Sequence, residues 1–302
     1  MKYNCIIILG TTASGKTKLS IELAKKLNGE IVNADSQQII KGLNIGTAKI
    51  TEQEKEGIAH HLFDIIEPGQ DFSVSEYRDL AMNKIKEILS RGKLPIIVGG
   101  TGFYINSLIY NYTFGDSDKN EDLRNRFEQL AKEKGNEFVF EHLKNIDPES
   151  AKVLHPNDLK RVIRAIEIFE TSGNKKSSQY MTRNKELNPY IVGIQVDRDL
   201  LYDRINKRVD LMIDAGLEKE VEVLHKDGFY DKNYHLPIGY SEWNYYYNNE
   251  KTRKETIELI KQNSRHYAKR QITWFKKVEN VNWFDLNKLT LDNIIENITS
   301  NM

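Results

Sequence analysis

Apolar residues fall along this chain in two rhythms. Short continuous runs, Cys5-Ile6-Ile7-Ile8-Leu9, Glu30-Ile31-Val32-Asn33-Ala34, Leu94-Pro95-Ile96-Ile97-Val98 and Tyr190-Ile191-Val192-Gly193-Ile194-Gln195-Val196, predict strands buried on both faces. Between them, apolar residues recur every three or four positions, as on one face of a helix. Leu19, Leu23 and Leu27 form such a face, stopped by Asn28-Gly29. Ser73 and Glu76 make a capping box for another, with Val74, Tyr77, Ala81, Ile85 and Ile88 inside and Gly92 as the stop. Past His155-Pro156 lies the best amphipathic helix of the chain. It has Asn157 or Asp158 as cap, Leu159, Val162, Ile163, Ile166 and Phe169 inside, and Gly173 at the end. Strands that alternate with helices predict an α/β fold with a parallel sheet. Residues 116 to 150 break the alternation: they are charged, acidic on balance and helical in pattern, as an inserted helical domain would be. Gly42 to Lys49 and Ala59 to Asp64 read as loops and short turns, and Gly173 to Asn188 as a mobile basic loop.

Composition narrows the setting. At 302 residues the chain can hold one large domain or two smaller ones, and its net charge of zero argues against a uniformly basic coat while leaving local patches open. A single cysteine, Cys5, excludes a disulfide framework and a cysteine-based zinc site. No apolar run approaches the roughly 18 residues a membrane helix needs, and Met1 leads directly into the first strand. A soluble protein of the reducing cytosol is expected.

The chemistry begins at Gly10-Thr11-Thr12-Ala13-Ser14-Gly15-Lys16-Thr17, which fits G-x-x-x-x-G-K-[ST] between a strand and a helix. There the backbone amides can close around phosphate at a helix N-terminus, Lys16 adds charge, and Thr17 can ligate Mg²⁺. The second strand ends in Asp35-Ser36-Gln37-Gln38, which puts a carboxylate on the sheet edge where open α/β sheets bind ligands, although Asp35 could equally cap a following helix. The third strand runs into Gly99-Gly100-Thr101-Gly102, so a hydroxyl stands where many NTPases place a Mg²⁺-binding Asp. His60-His61 lacks further ligands at metal spacing and reads as structural. Arg204 and Arg208 lie one helical turn apart, suited to phosphate oxygens or simply to solvent. Lys160, Arg161 and Arg164 leave the apolar face of their helix, which a solvated face would also explain. Between Lys251 and Lys277 cations far outnumber the carboxylates Glu255 and Glu258 and are interleaved with His266, Tyr267, Trp274 and Phe275. That pattern suits a nucleic-acid backbone and its bases, or a helix packing its aromatics inward.

Taken in order, residues 10 to 17, Asp-Ser-x-Gln at 35 to 38, Ile-Gly-Thr-Ala-Lys at 45 to 49, His-His-Leu at 60 to 62, Gly-Gly-Thr-Gly at 99 to 102, His-Pro-Asn-Asp at 155 to 158 with Arg161 and Arg164, and Tyr-Ala-Lys-Arg-Gln-x-Thr-Trp-Phe at 267 to 275 closely resemble the bacterial tRNA dimethylallyltransferase family over nearly the whole chain. The resemblance implies a P-loop kinase-like core at 1–114 and 190–302 and an all-helical tRNA-contacting domain at 115–189. It also implies transfer of the dimethylallyl group of dimethylallyl diphosphate to N6 of adenosine 37, next to the anticodon, with Mg²⁺ as cofactor, in a cytoplasmic monomer. By position, Asp35 resembles the base and Thr101 a contact near the bond being broken. Residues Gly10 to Thr17, with Arg208, would hold the diphosphate, and Thr17 its metal. Asp35, Ser36, Gln37, Gln38, Thr101, Arg124, Asn157, Asp158, Leu159, Lys160, Arg161 and Arg164, joined by Lys269 and Arg270, would meet the anticodon stem-loop. The chain departs from the family pattern at Thr11, usually Pro, and at Ile40, usually Tyr, and neither change removes a group the chemistry requires. Three other readings stay open: prenylation of free adenine nucleotides, a small-molecule or nucleotide kinase, and an RNA-binding protein with a relic P-loop. The insertion and basic tail speak against the first, Gly-Gly-Thr-Gly against the second, and the intact Lys16, Thr17 and Asp35 against the third.

Overall fold

In the computed structural model, residues 2–111, 120–178, 182–230 and 236–302 are described. The apolar runs become β1 (Cys5–Gly10), β2 (Gly29–Asn33), β4 (Leu94–Gly99) and β7 (Pro189–Gln195). The two-residue β3 (His60–His61) joins them on one side and β8 (Asn282–Asp285) on the other, in the order β3-β2-β4-β1-β7-β8, with every pairing parallel. A wholly parallel sheet must be covered on both faces, which is why these strands carry no alternation. On one face Ile6, Ile8, Ile96 and Val192 pack with Leu19 and Leu23 of the helix Lys16–Leu27 and with Ile294 and Ile298 of the helix Leu291–Asn301. The helix Val74–Ser90 carries the capping box read from Ser73 and Glu76, and its buried positions include Tyr77, Ala81, Ile85 and Ile88.

The chain divides into two compact units, 1–109 with 185–302, and 110–184. In the second, the helices Glu121–Lys134, Asn136–Ile146 and Leu159–Ser172 share a core that includes Phe127, Phe140, Leu143, Val162 and Ile166. This unit is not purely helical. β5 (Tyr110–Asn111) and β6 (Thr182–Arg183) pair antiparallel and close it, so the unit begins ahead of residue 115, a boundary that itself lies outside the described residues. At the other end Asn188 is tied to the first unit: its N–H donates to Asn4 Oδ1 at 2.8 Å and its side chain donates to the Lys2 carbonyl at 2.7 Å.

The remaining differences from the sequence reading have local causes. His60 and His61 pair with Ile31 and Val32 as a strand, because Glu30 draws in His61 at 2.7 Å together with Arg91 and Lys93. The basic loop after Gly173 contains a 3-10 turn, Lys176–Ser178, pinned by the buried Asp147, which accepts from Ser177 N and Oγ; residues 179–181 of that loop lie outside the described residues. No described helix is long and apolar enough to cross a membrane.

Candidate active site

The carboxyl-terminal ends of β1, β2 and β4 bring three segments to one sheet edge. After Gly10 the chain turns through Ala13 (φ 60°) and Gly15 (φ 91°) into the helix beginning at Lys16. Ser14 N closes the turn on Thr11 O at 3.3 Å, and Lys16 Nζ donates to the same carbonyl at 2.7 Å. Burial lowers the Lys16 pKa to about 8; Asp35 opposes the shift and the Arg208 charge adds to it. Arg208, on the helix Arg198–Asp214, reaches the loop and donates to Thr12 Oγ1 at 3.2 Å. Burial pushes its pKa down too, so two desolvated cations face one loop, an arrangement that an anion would relieve. Thr17 is exposed on the first helical turn.

Asp35 follows β2 without opening a helix. Its Oδ1 accepts from Gln37 N at 2.9 Å, a local turn that occupies one carboxylate oxygen; Oδ2 has no hydrogen-bond partner among the described residues. Asn33 fixes the backbone below, accepting from Asp35 N at 3.0 Å and donating to the carbonyls of Asp35 and Leu62. The end of β4 lies hard against this turn: a Cβ on Gly99 would stand 2.1 Å from Ala34 O. That approach lets Thr101 N donate to Ala34 O at 3.1 Å and Thr101 Oγ1 accept from Ser36 N at 2.9 Å. Thr101 is thus held on the turn that follows Asp35.

Two residues of the helix Arg253–Phe275 complete the site: Gln271, and Tyr267 of the interleaved aromatics. Gln271, 5% exposed, accepts from Thr12 N at 2.9 Å and donates to Gly100 O at 2.9 Å, joining the P-loop to the Thr101 segment. Tyr267 lies beside Asp35 and Thr101, and burial together with the Asp35 charge raises its phenol pKa. A signal was present for Gln271: it interrupts the buried face between Ala268 and Phe275, where a polar side chain needs a partner.

Thr12 and Lys16 of the P-loop, with Asp35, Arg208, Tyr267 and Gln271, line a cavity of about 410 Å³. Lys16, Thr12 and Arg208 stand among its polar residues with Asp35 and Arg270, whereas Val209, Met212, Ile238 and Ile260 are apolar lining. Lys269, next to Arg270, is exposed. Gln38 lines the cavity and binds the carbonyls of Thr47 and Ala48, both at 3.1 Å.

The other candidate residues belong to the helical unit. Asp158 is the cap position of the helix Leu159–Ser172 and pairs with Arg161 at 3.0 Å, while Asn157 and Lys160 are exposed and Leu159 packs against the unit's core. Arg124 and Arg164 both bind Glu167, Arg124 at 2.9 and 2.8 Å and Arg164 at 2.5 Å. Burial pushes the fully buried Glu167 carboxyl up, yet the two guanidinium groups together hold it below its usual range. Both arginines therefore build this unit as well as facing its surface. Lys176 is lowered by burial and by the charges of Arg161 and Arg164.

A parallel α/β sheet with a P-loop at the ends of its strands, a carboxylate nearby and a half-apolar cavity lined by both defines a P-loop enzyme for a phosphate-bearing, partly apolar ligand. The model of the IPP transferase family matches residues 38–278, and the chain belongs to that family. Its relatives include the tRNA dimethylallyltransferase of Acetivibrio thermocellus, 51% identical over 98% of this chain and 96% of that protein, and that of Bacillus subtilis, 48% identical over 94% and 91%. Among solved structures, the tRNA isopentenylpyrophosphate transferase of Bacillus halodurans is 43% identical, with a TM-score of 0.74 over 99% of this chain and 95% of that one. A eukaryotic dimethylallyltransferase acting on tRNA is 31% identical, with a TM-score of 0.78 over 93% and 73%.

Proposed function

We propose that this enzyme transfers the dimethylallyl group of dimethylallyl diphosphate to N6 of adenosine 37 in tRNA and releases diphosphate. The observation that carries this reading is the cavity itself. Its cationic P-loop residues suit the diphosphate, its apolar lining suits a five-carbon chain, and Asp35 stands beside both. Lys16, Arg208 and the loop amides hold the leaving group and take up its charge as the C1–O bond breaks. Asp35 hydrogen-bonds the exocyclic amine, orients it and accepts its proton as the N6–C1 bond forms. Thr101, fixed by Ser36, stands near the reacting carbon.

An exposed hydroxyl on the first turn of a P-loop helix fits Mg²⁺, which takes few protein ligands and keeps phosphate oxygens and waters. Thr17 would hold the ion together with the diphosphate, where it supplies further charge neutralisation.

An adenosine stacked in an anticodon loop must turn outward to enter such a cavity, and this needs a grip on the surrounding stem. Asn157 to Arg161, Lys269 and Arg270 supply it, with Arg124 and Arg164 holding the helical unit in shape. On this reading the enzyme acts as a monomer on tRNA in the cytoplasm.

The test is nucleoside analysis of unmodified tRNA incubated with the purified enzyme, Mg²⁺ and either dimethylallyl diphosphate or ATP. N6-dimethylallyl adenosine at position 37 from the allylic donor alone is the expected product. A phosphorylated product, with Mg·ATP displacing the allylic diphosphate at equal concentration, would instead mean a kinase.

A further inference from the structure

Outside the reacting groups, one carboxylate makes more contacts to a loop than packing requires. Glu220, on the helix Leu217–Lys226, receives three successive backbone N–H groups. Ile45 N lies 2.9 Å from its Oε1 and 3.1 Å from its Oε2, Asn44 N lies 3.2 Å and Gly46 N 3.3 Å from Oε1. The Tyr240 hydroxyl, fully buried, donates to Oε1 at 2.5 Å and accepts from Gly46 N at 3.0 Å. The same carboxylate thus ties two loops together. One carries Gly46 and Thr47, the other Ile238 and Gly239, and all four residues line the cavity. Gly46 lies so close to Tyr240 that a Cβ there would stand 2.5 Å from the ring. On its far side the second loop is held by the buried Glu242, which accepts from Gly239 N at 2.8 Å and from Asn263 of the long helix at 2.7 Å.

We infer that Glu220 is a positioning residue that locks these two loops into a single wall and so keeps water from the reacting carbon. A carboxylate suits this place because it is acceptor-only: a glutamine that keeps its oxygen at the Oε1 position turns an N–H₂ group toward the Ile45 N–H, which lies 3.1 Å from Oε2. Given the transfer reaction proposed above, a loosened wall has a chemical signature. Water attacks the allylic carbon in place of N6, a C–O bond to water forms as the bond to the diphosphate breaks, and the surplus proton passes to solvent. The products are dimethylallyl alcohol and diphosphate.

The experiment compares Glu220→Gln, Gly46→Ala and the neighbouring surface change Lys219→Gln. For the first two, kcat/KM with the allylic diphosphate should fall about tenfold or more, and the ratio of alcohol to transferred group should rise several-fold, while tRNA affinity stays within about twofold of wild type. Lys219→Gln should change neither. Gly46→Ala leaves Glu220 in place and disturbs the loop through Tyr240, so it decides the matter if Glu220→Gln folds poorly. Trypsin cleavage after Lys49 is a readout that does not depend on the reaction. The Lys49 side chain is only 6% exposed, held by Asp64 and by the Ile40 carbonyl, and freeing the loop should expose it. A wild type that transfers nothing to tRNA would sink the proposed reaction, whereas cleavage would still report on the clamp. Wild-type partitioning and wild-type cleavage in both variants would overturn the inference.

Discussion

Replacing Gln271 by methionine keeps the length and most of the packing of a side chain that is 5% exposed, and removes its hydrogen bonds to Thr12 and Gly100. Thr12 N–H and Gly100 C=O are then left without partners. An unsatisfied buried polar group costs about 1–3 kcal/mol; Thr12 is half-buried and water can reach its N–H, so the expected total is about 2–4 kcal/mol. For a unit of this size each kcal/mol lowers Tm by roughly 2–4 °C, which puts the Gln271→Met transition about 4–16 °C below wild type by differential scanning calorimetry. The functional loss should exceed the loss in stability. At 25 °C the variant is still folded, yet its P-loop and the Thr101 segment are no longer joined, and kcat/KM should fall by about tenfold or more. A Tm within about 1 °C of wild type, with unchanged kinetics, would show that the Gln271 bridge holds nothing together.

Asp35→Asn should retain the Gln37 N–H bond through its Oδ1, bind both substrates and lose about two to four decades in rate; single-turnover transfer to tRNA measures this, and full activity would remove Asp35 as the base. With a Lys16 pKa of about 8, the free enzyme is charged at this position below pH 8 and neutral above it. Its kcat/KM for the allylic diphosphate should therefore decline as pH rises through about 8, and the decline should disappear in a pH profile of Lys16→Arg. Arg161→Ala with Lys269→Ala should weaken tRNA binding and reduce the slope of log affinity against log salt by about one unit or less per charge, while dimethylallyl diphosphate binding stays the same. An unchanged slope would place the phosphate contacts elsewhere.

The sheet was legible because its strands are continuous apolar runs of strand length, and the P-loop because its spacing fixes both a strand before it and a helix after it. The two-residue β3 was not legible: its pairing depends on Glu30 binding His61, a contact between residues far apart in sequence. Strand β8 and the helix Leu291–Asn301 drew no reading, since Asn282-Trp283-Phe284-Asp285 is too short and too polar to declare itself. At the site, Asp35, Lys16 and Thr101 could be proposed from motifs, as each ends or follows a strand. Gln271 and Glu220 could not be assigned in the same way, because their roles lie in backbone groups they bind across the fold, and backbone groups leave no mark on a sequence. Arg124 and Arg164 show the converse. Their charge is plain in the sequence, but their shared partner Glu167 emerges only when two helices pack.

The sheet order also bears on how the molecule is made. β1 is made before the other strands of its sheet, yet its neighbours are β4 and β7, and β7 is not complete until residue 195 has been added. Until then an apolar strand waits with an unpaired edge, the kind of surface that invites wrong partners. The P-loop waits longer still, since Thr12 N–H receives its partner only with Gln271, on the long helix that precedes the last strand. A nascent or prematurely ended chain therefore carries the whole phosphate-binding motif without a finished phosphate site. The phosphate loop takes its final hydrogen bonds only once the chain has been extended through Gln271.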